Sequence, residues 1–239
     1  MPGLPIVFVH GMRLSGSAWS PVTARLGGAF RAIDLPGHGA RRGEVFTMDG
    51  ATAAVADAVA DLGGRALVVG HSLGGYVSMA AAARCPERVA GLVVAGATAV
   101  PDRGLAVPFR VMHRFLSARP DGGDHLSRWI FGRVLPPESL DGVLAGGIAT
   151  EVIPDLVDAV IGTDVLADVA RFPGPTWFVN GGHDHFRWHE NRFLAAAAHG
   201  RLIVVPGAGH YLPLTHPVAM ARLVSDAAAA VRQDHAVAP

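Results

Sequence analysis

The chain has 239 residues, with 20 basic and 20 acidic side chains, a formal net charge of zero and half its residues hydrophobic. This excludes a basic patch for nucleic acid and an acidic tail, and it leaves enough chain for one large core and a small insertion. Every basic side chain is arginine, so Schiff-base and lysine general-base chemistry are excluded as well.

Leu4 to Val9 is an apolar, β-branched run of strand type that ends in His10-Gly11-Met12. Ser17 fits the N-cap of a helix over Ala18 to Leu26. Phe30 to Leu35 predicts a second strand, closed by Pro36-Gly37-His38-Gly39, in which Asp34 and His38 are expected to hold the turn together. Asp49 to Leu62 carries apolar residues at helical spacing and stops at Gly63-Gly64.

Arg65 to Arg84 is the stretch around which the chain is organised. An apolar strand, Ala66 to Val69, turns through Gly70-His71-Ser72-Leu73-Gly74-Gly75 into an Ala-rich helix. A serine at such an apex has strained backbone angles and projects its hydroxyl above the carboxyl edge of the sheet. Side chains at positions 70 and 74 would collide with neighbouring elements. The Leu73 amide, at a helix N-terminus, points to where an oxyanion would form. His71 and His10 read as structural. Cys85, the one cysteine, reads as a small buried apolar residue and excludes an intramolecular disulfide or a cysteine metal cluster.

Val89 to Ala95 is a fully apolar run, as expected of a parallel strand covered on both faces. Residues 98–172 break the alternation, with short helix-like segments and no strand. The pattern resumes with strands over Thr176 to Val179 and Leu202 to Val205, a helix over Phe186 to Ala198 and a closing helix over Val218 to Arg232. Asp234 to Pro239 reads as a frayed tail. The fold class is α/β: about six mostly parallel strands flanked by helices. The core is 1–97 with 173–239, and 98–172 is an inserted helical cap.

A nucleophilic serine needs a base, and the base needs an orienting group, from loops at the carboxyl ends of strands. His210 follows one such strand in Pro206-Gly207-Ala208-Gly209-His210, and Asp184 follows another in Asn180-Gly181-Gly182-His183-Asp184. Asp102 is the rival acid. Consecutive residues of an extended loop alternate in direction, which argues against a metal site at His183, Asp184 and His185.

VHGMRLSG at 9–16, DLPGHG at 34–39, GHSLGG at 70–75 and GAGHYLPLTHP at 207–217 together resemble the α/β-hydrolase fold superfamily, over nearly the whole chain. The resemblance implies a Ser72–Asp184–His210 triad in the usual order. It also implies that the Met12 amide joins Leu73 as the second oxyanion donor. The reaction expected is hydrolysis of an ester-like small molecule, carboxylic ester or thioester, through an acyl-enzyme and without a cofactor. Carbon–carbon bond hydrolysis of a diketone-type substrate, a cofactor-free perhydrolase or haloperoxidase activity, and a non-catalytic small-ligand receptor use the same scaffold. Phe109, Met112, Trp129, Phe131 and Tyr211 are the candidates for the substrate pocket, and the weak charge suggests an apolar substrate. The apolar runs are too short to span a bilayer and Met1 to Pro5 is too short for a signal peptide, so the expected location is the cytoplasm.

Overall fold

A computed structural model describes residues 3–237, with side chains to residue 233. Six strands form one parallel sheet in the order β2-β1-β3-β4-β5-β6. These are β1 (Ile6–Val9), β2 (Phe30–Ile33), β3 (Ala66–His71), β4 (Val89–Ala95), β5 (Pro175–Gly181) and β6 (His199–Val205).

Alternation along the strands builds two cores. Val7, Val9, Val68, Leu92, Val94 and Phe178 face helices α2 (Met48–Asp61), α3 (Leu73–Arg84) and α8 (Val165–Arg171). Phe8, Leu67, Val69, Val93, Trp177 and Val179 face α11 (Pro217–Val237) through Met220, Val224, Ala228 and Val231. Both faces of the central strands are therefore apolar, which explains why Ala66–Val69 of β3 and all of β4 carry no polar side chain, with every residue of both strands buried.

Between β4 and β5 lie α4 (Arg103–Ser117), α5 (Asp124–Val134), α6 (Pro137–Ala145), α7 (Ile153–Ile161) and α8, with no strand among these residues. α4 packs on α7, whereas α8 packs back on α3. The remaining helices are short: α1 (Ser20–Thr23), α9 (Glu190–Ala196) and α10 (Leu212–Thr215).

Three local expectations change. The helix over 18–26 reduces to a 3₁₀ turn, Gly16–Trp19, followed by the one-turn α1. Ser17 does not cap it; its hydroxyl donates to the Gly142 carbonyl at 2.6 Å, a tertiary bond that replaces the local one. The helix after Asp184 begins at Glu190, four residues later than its apolar pattern suggests, because 184–189 wraps around the site. The closing helix continues through 234–237, where the sequence suggests fraying, and 238–239 lie outside the described residues. No helix among the described residues is long and apolar enough to cross a membrane.

Strand order decides where a site forms. β1 sits between β2 and β3, so the chains leaving β1 and β3 depart on opposite sides of a switch point at the carboxyl edge. Gly11-Met12 follows β1 there, and Ser72 follows β3.

Candidate active site

Ser72 has φ 53° and ψ −117°, a conformation costly for any residue with a side chain. Packing on both sides holds it there. A Cβ on Gly70 would collide with the Gly74 carbonyl and the Ser78 hydroxyl, and one on Gly74 with the Val9 and His10 carbonyls. Strand and helix therefore approach too closely for side chains, and the turn between them is forced to be sharp. The Ser72 N–H donates to the Ala95 carbonyl at 2.8 Å, which fixes the apex to the end of β4.

Two loops from farther along the chain meet this apex. His210, after β6, has Nε2 3.0 Å from the Ser72 hydroxyl oxygen. Its Nδ1 lies 3.2 Å from both oxygens of Asp184, which follows β5. The Asp184 carboxylate is buried and accepts the Phe186 N–H at 2.8 Å. Burial pushes that carboxyl upward, but the hydrogen bond and charge of His210, with the Phe186 N–H, outweigh it and hold the group below its ordinary range. An ionised Asp184 selects the His210 tautomer with its proton on Nδ1, leaving Nε2 free to accept from Ser72. Gly96, at φ 61°, makes room for the pair, since a Cβ there would come within 3.1 Å of Asp184 and 3.2 Å of His210.

Met12 and Leu73 line the same cleft as Ser72. Neither of their N–H groups has a hydrogen-bond partner among the described residues. The cleft is walled mainly by apolar side chains, among them Leu105, Phe109, Leu156, Val160 and Phe186.

A family model described as the alpha/beta hydrolase family matches residues 6–223. The chain belongs to this family. Pimeloyl-[acyl-carrier protein] methyl ester esterase of Sodalis glossinidius (strain morsitans) is 31% identical over 251 residues, spanning 92% of this chain and 92% of that protein. The enzyme of the same name from Nitrosomonas europaea is 27% identical over 249 residues, spanning 90% of this chain and 92% of that protein. Among solved structures, a thermophilic esterase from Thermogutta terrifontis superposes with a TM-score of 0.77 at 23% identity, covering 96% of this chain and 91% of that one, and so shares its fold.

In this alpha/beta hydrolase, several polar residues near the apex have structural partners. His10 accepts the Leu35 N–H at 3.1 Å through Nε2 and donates through Nδ1 to the Gly11 carbonyl, tying β1 to the end of β2. Asp34 accepts the Gly16 and Ala40 N–H groups, each at 2.7 Å. His38 donates to the Pro36 carbonyl and accepts the Arg13 N–H. Asp102, the rival acid, caps α4 by accepting the Leu105 N–H at 2.7 Å. His183 and His185 are exposed on either side of the buried Asp184. Among the described residues no three His, Cys, Asp or Glu side chains are grouped to hold a metal.

Of the pocket candidates, Phe109 lines the cleft and stacks on Phe186 at 5.9 Å between ring centroids. The other four do not line it. Met112 is half-buried against the larger apolar cluster, which includes Leu156 and Val157 of α7, and Trp129 is 55% exposed on α5. Phe131, two residues on, turns inward to a separate cluster with Leu14 and Leu135, where Tyr211 meets it edge-on. Helical spacing puts positions 129 and 131 on different faces, and the sequence of an isolated helix does not say which face meets the cleft.

Two residues escaped the sequence reading. Phe186, which the apolar pattern places at the start of a helix, instead packs its ring 4.6 Å from that of His210. Arg13 has φ 67° and is 9% exposed, and its guanidinium donates to the hydroxyls of Ser127 and Thr150. Non-glycine residues with positive φ carry a cost of about 1–3 kcal/mol. The one available signal was an arginine inside an otherwise apolar and small-residue motif, VHGMRLSG.

Proposed function

We propose that the protein is a serine hydrolase that cleaves a small carboxylic ester or thioester through an acyl-enzyme. The observation that carries this reading is the relay in which His210 lies 3.0 Å from the Ser72 hydroxyl and 3.2 Å from Asp184. Ser72 attacks the ester carbonyl as its proton passes to His210 Nε2. The carbonyl oxygen becomes an oxyanion that the Met12 and Leu73 N–H groups receive. Asp184 holds the imidazole and balances its positive charge, and His210 then returns the proton to the departing alcohol or thiol. Water enters, gives a proton to the same Nε2 and attacks the acyl-serine; His210 passes that proton to the departing Ser72 oxygen, which releases the acid and restores the hydroxyl.

The apolar cleft suits an aliphatic or aromatic acyl group. The names of the Sodalis and Nitrosomonas relatives, methyl ester esterases of an acyl chain, support an ester with such an acyl part. In this reading residues 98–172 are a cap: α4 and α7 supply Leu105, Phe109, Leu156 and Val160 to the roof of the cleft.

Hydrolysis of p-nitrophenyl esters of graded acyl length tests the reading. Ser72→Ala is expected to abolish turnover above background with the fold retained by circular dichroism. Hydrolysis that survives the substitution would remove the serine from the mechanism.

A further inference from the structure

Gly11 to Leu14 forms a tight turn closed by the Leu14 N–H donating to the Gly11 carbonyl at 3.2 Å. Its third residue, Arg13, has φ 67°, while Met12 before it does not have positive φ. That pattern belongs to a type II turn, whose third position favours glycine. This chain places its bulkiest cationic side chain where glycine would be free of strain. The side chain must do something there that glycine cannot.

What it does is reach away from the sheet. One nitrogen, Nη2, donates to the hydroxyl of Ser127 in α5 and to that of Thr150, at 3.1 Å, just before α7. Ser127 is itself fixed by donating to the Gly123 carbonyl at 2.8 Å. The main chain of Arg13 repeats the connection, since its carbonyl accepts the Ala149 N–H at 3.0 Å. On the sheet side its N–H donates to His38 at 3.3 Å. Ser127 and Thr150 are both buried, and the partners of the guanidinium are hydroxyls rather than carboxylates. Burial pushes the guanidinium pKa down, partly offset by Tyr211, Asp124 and Glu151. A charged group with only neutral partners adds little net stability, so stability alone does not account for the arginine.

Resting on the esterase reading above, we infer that Arg13 is a positioning residue. Its guanidinium, anchored on Ser127 and Thr150, sets the turn that presents the Met12 N–H beside Ser72. The oxyanion donor is then correctly placed only while the segment carrying residues 127 and 150 is docked on the sheet. Cap docking and transition-state stabilisation become one event, and an undocked cap leaves an idle serine.

The test measures the rate of labelling by a serine-directed fluorophosphonate, together with kcat and KM for p-nitrophenyl butyrate and the melting temperature. Arg13→Gly relaxes the turn and removes the tether. It is expected to keep the melting temperature within a few degrees while labelling and kcat fall at least about tenfold and KM changes little, as for a misplaced oxyanion donor. The pair Ser127→Ala with Thr150→Val cuts the tether from the other end and leaves the turn intact. It should give a similar loss, and adding Arg13→Gly to it should cost no more. Should Arg13→Gly fail to fold, the Ser127/Thr150 pair decides. Labelling of either variant at the wild-type rate overturns the inference, as do losses that multiply when the changes are combined. A wild-type protein that does not label at all overturns the serine reading first, and this inference with it.

Discussion

His71 donates through Nε2 to the carbonyl oxygen of His210 at 2.9 Å. The residue before the serine therefore holds the main chain of the histidine that faces the serine, across 139 positions of sequence. This bond requires the proton on Nε2. Burial pushes the His71 pKa down to about 3, the neighbouring His210 adds to the shift, and the bond to the His210 carbonyl only partly opposes it. Protonation of His71 would put a positive charge in a buried site 5.1 Å from the ring of His210.

Stability is expected to fall on mild acidification. His71 titrates near 6.5 in the unfolded chain and near 3 in the folded one, so the unfolded state binds more protons between those values. The contribution is complete above about pH 6.5 and is lost as the pH falls from there towards 3. His10 and His38, pushed down mainly by burial, act in the same direction. Melting temperatures at pH 8, 6 and 4.5 should decline steeply. His71→Gln, which keeps a donor but does not protonate, should decline less. An unchanged slope in that variant would mean His71 contributes nothing to it.

Asp184→Asn is expected to lower kcat by roughly 10⁴, because an amide donor facing Nδ1 forces the wrong His210 tautomer. The fold should hold, since the amide oxygen still accepts the Phe186 N–H. Asp102→Asn is the matched control. Asparagine caps a helix about as well as aspartate, so stability and turnover should both change little. Steady-state assays of both variants would place the acid elsewhere if Asp102→Asn were the damaging one.

Gly96→Ala should separate the relay without touching it chemically. The left-handed backbone costs about 1–2 kcal/mol for alanine. The new methyl also crowds Asp184 and His210, at 3.1 and 3.2 Å before relaxation. We expect a modest fall in melting temperature and a fall in kcat larger than tenfold. Wild-type kcat would show that the imidazole and carboxylate tolerate displacement.

Phe109→Ala opens the wall opposite Phe186. The stacked pair at 5.9 Å is lost, and an acyl chain longer than butyryl loses apolar contact. KM for p-nitrophenyl hexanoate should rise several-fold while that for the acetate stays close to wild type. Equal changes for both esters would place the acyl chain elsewhere.

The sheet, the helices of the core and the loops of the site were legible in the sequence because each rests on a short-range rule. Uninterrupted apolar runs mark strands covered on both faces, as in Val89–Ala95. The glycines at 70 and 74 mark a backbone approach that admits no side chain. The segment between β4 and β5 was legible only as helical. Trp129 and Phe131 have similar chemistry in the same helix, yet one is exposed and the other buried. Orientation there depends on which neighbouring surface the helix meets.

What the sequence determined by itself was the order of elements and the three loops that end at the carboxyl edge. Periodicity and turn chemistry are local, and a parallel sheet sends every strand-to-helix loop to that one edge. What only the tertiary structure decided was that Phe109 alone among five candidates lines the cleft, and that Arg13 spans from the first loop to Ser127 and Thr150. Each is a contact between positions distant in the chain. Such contacts depend on the summed geometry of every element between them, which no local pattern of residues encodes.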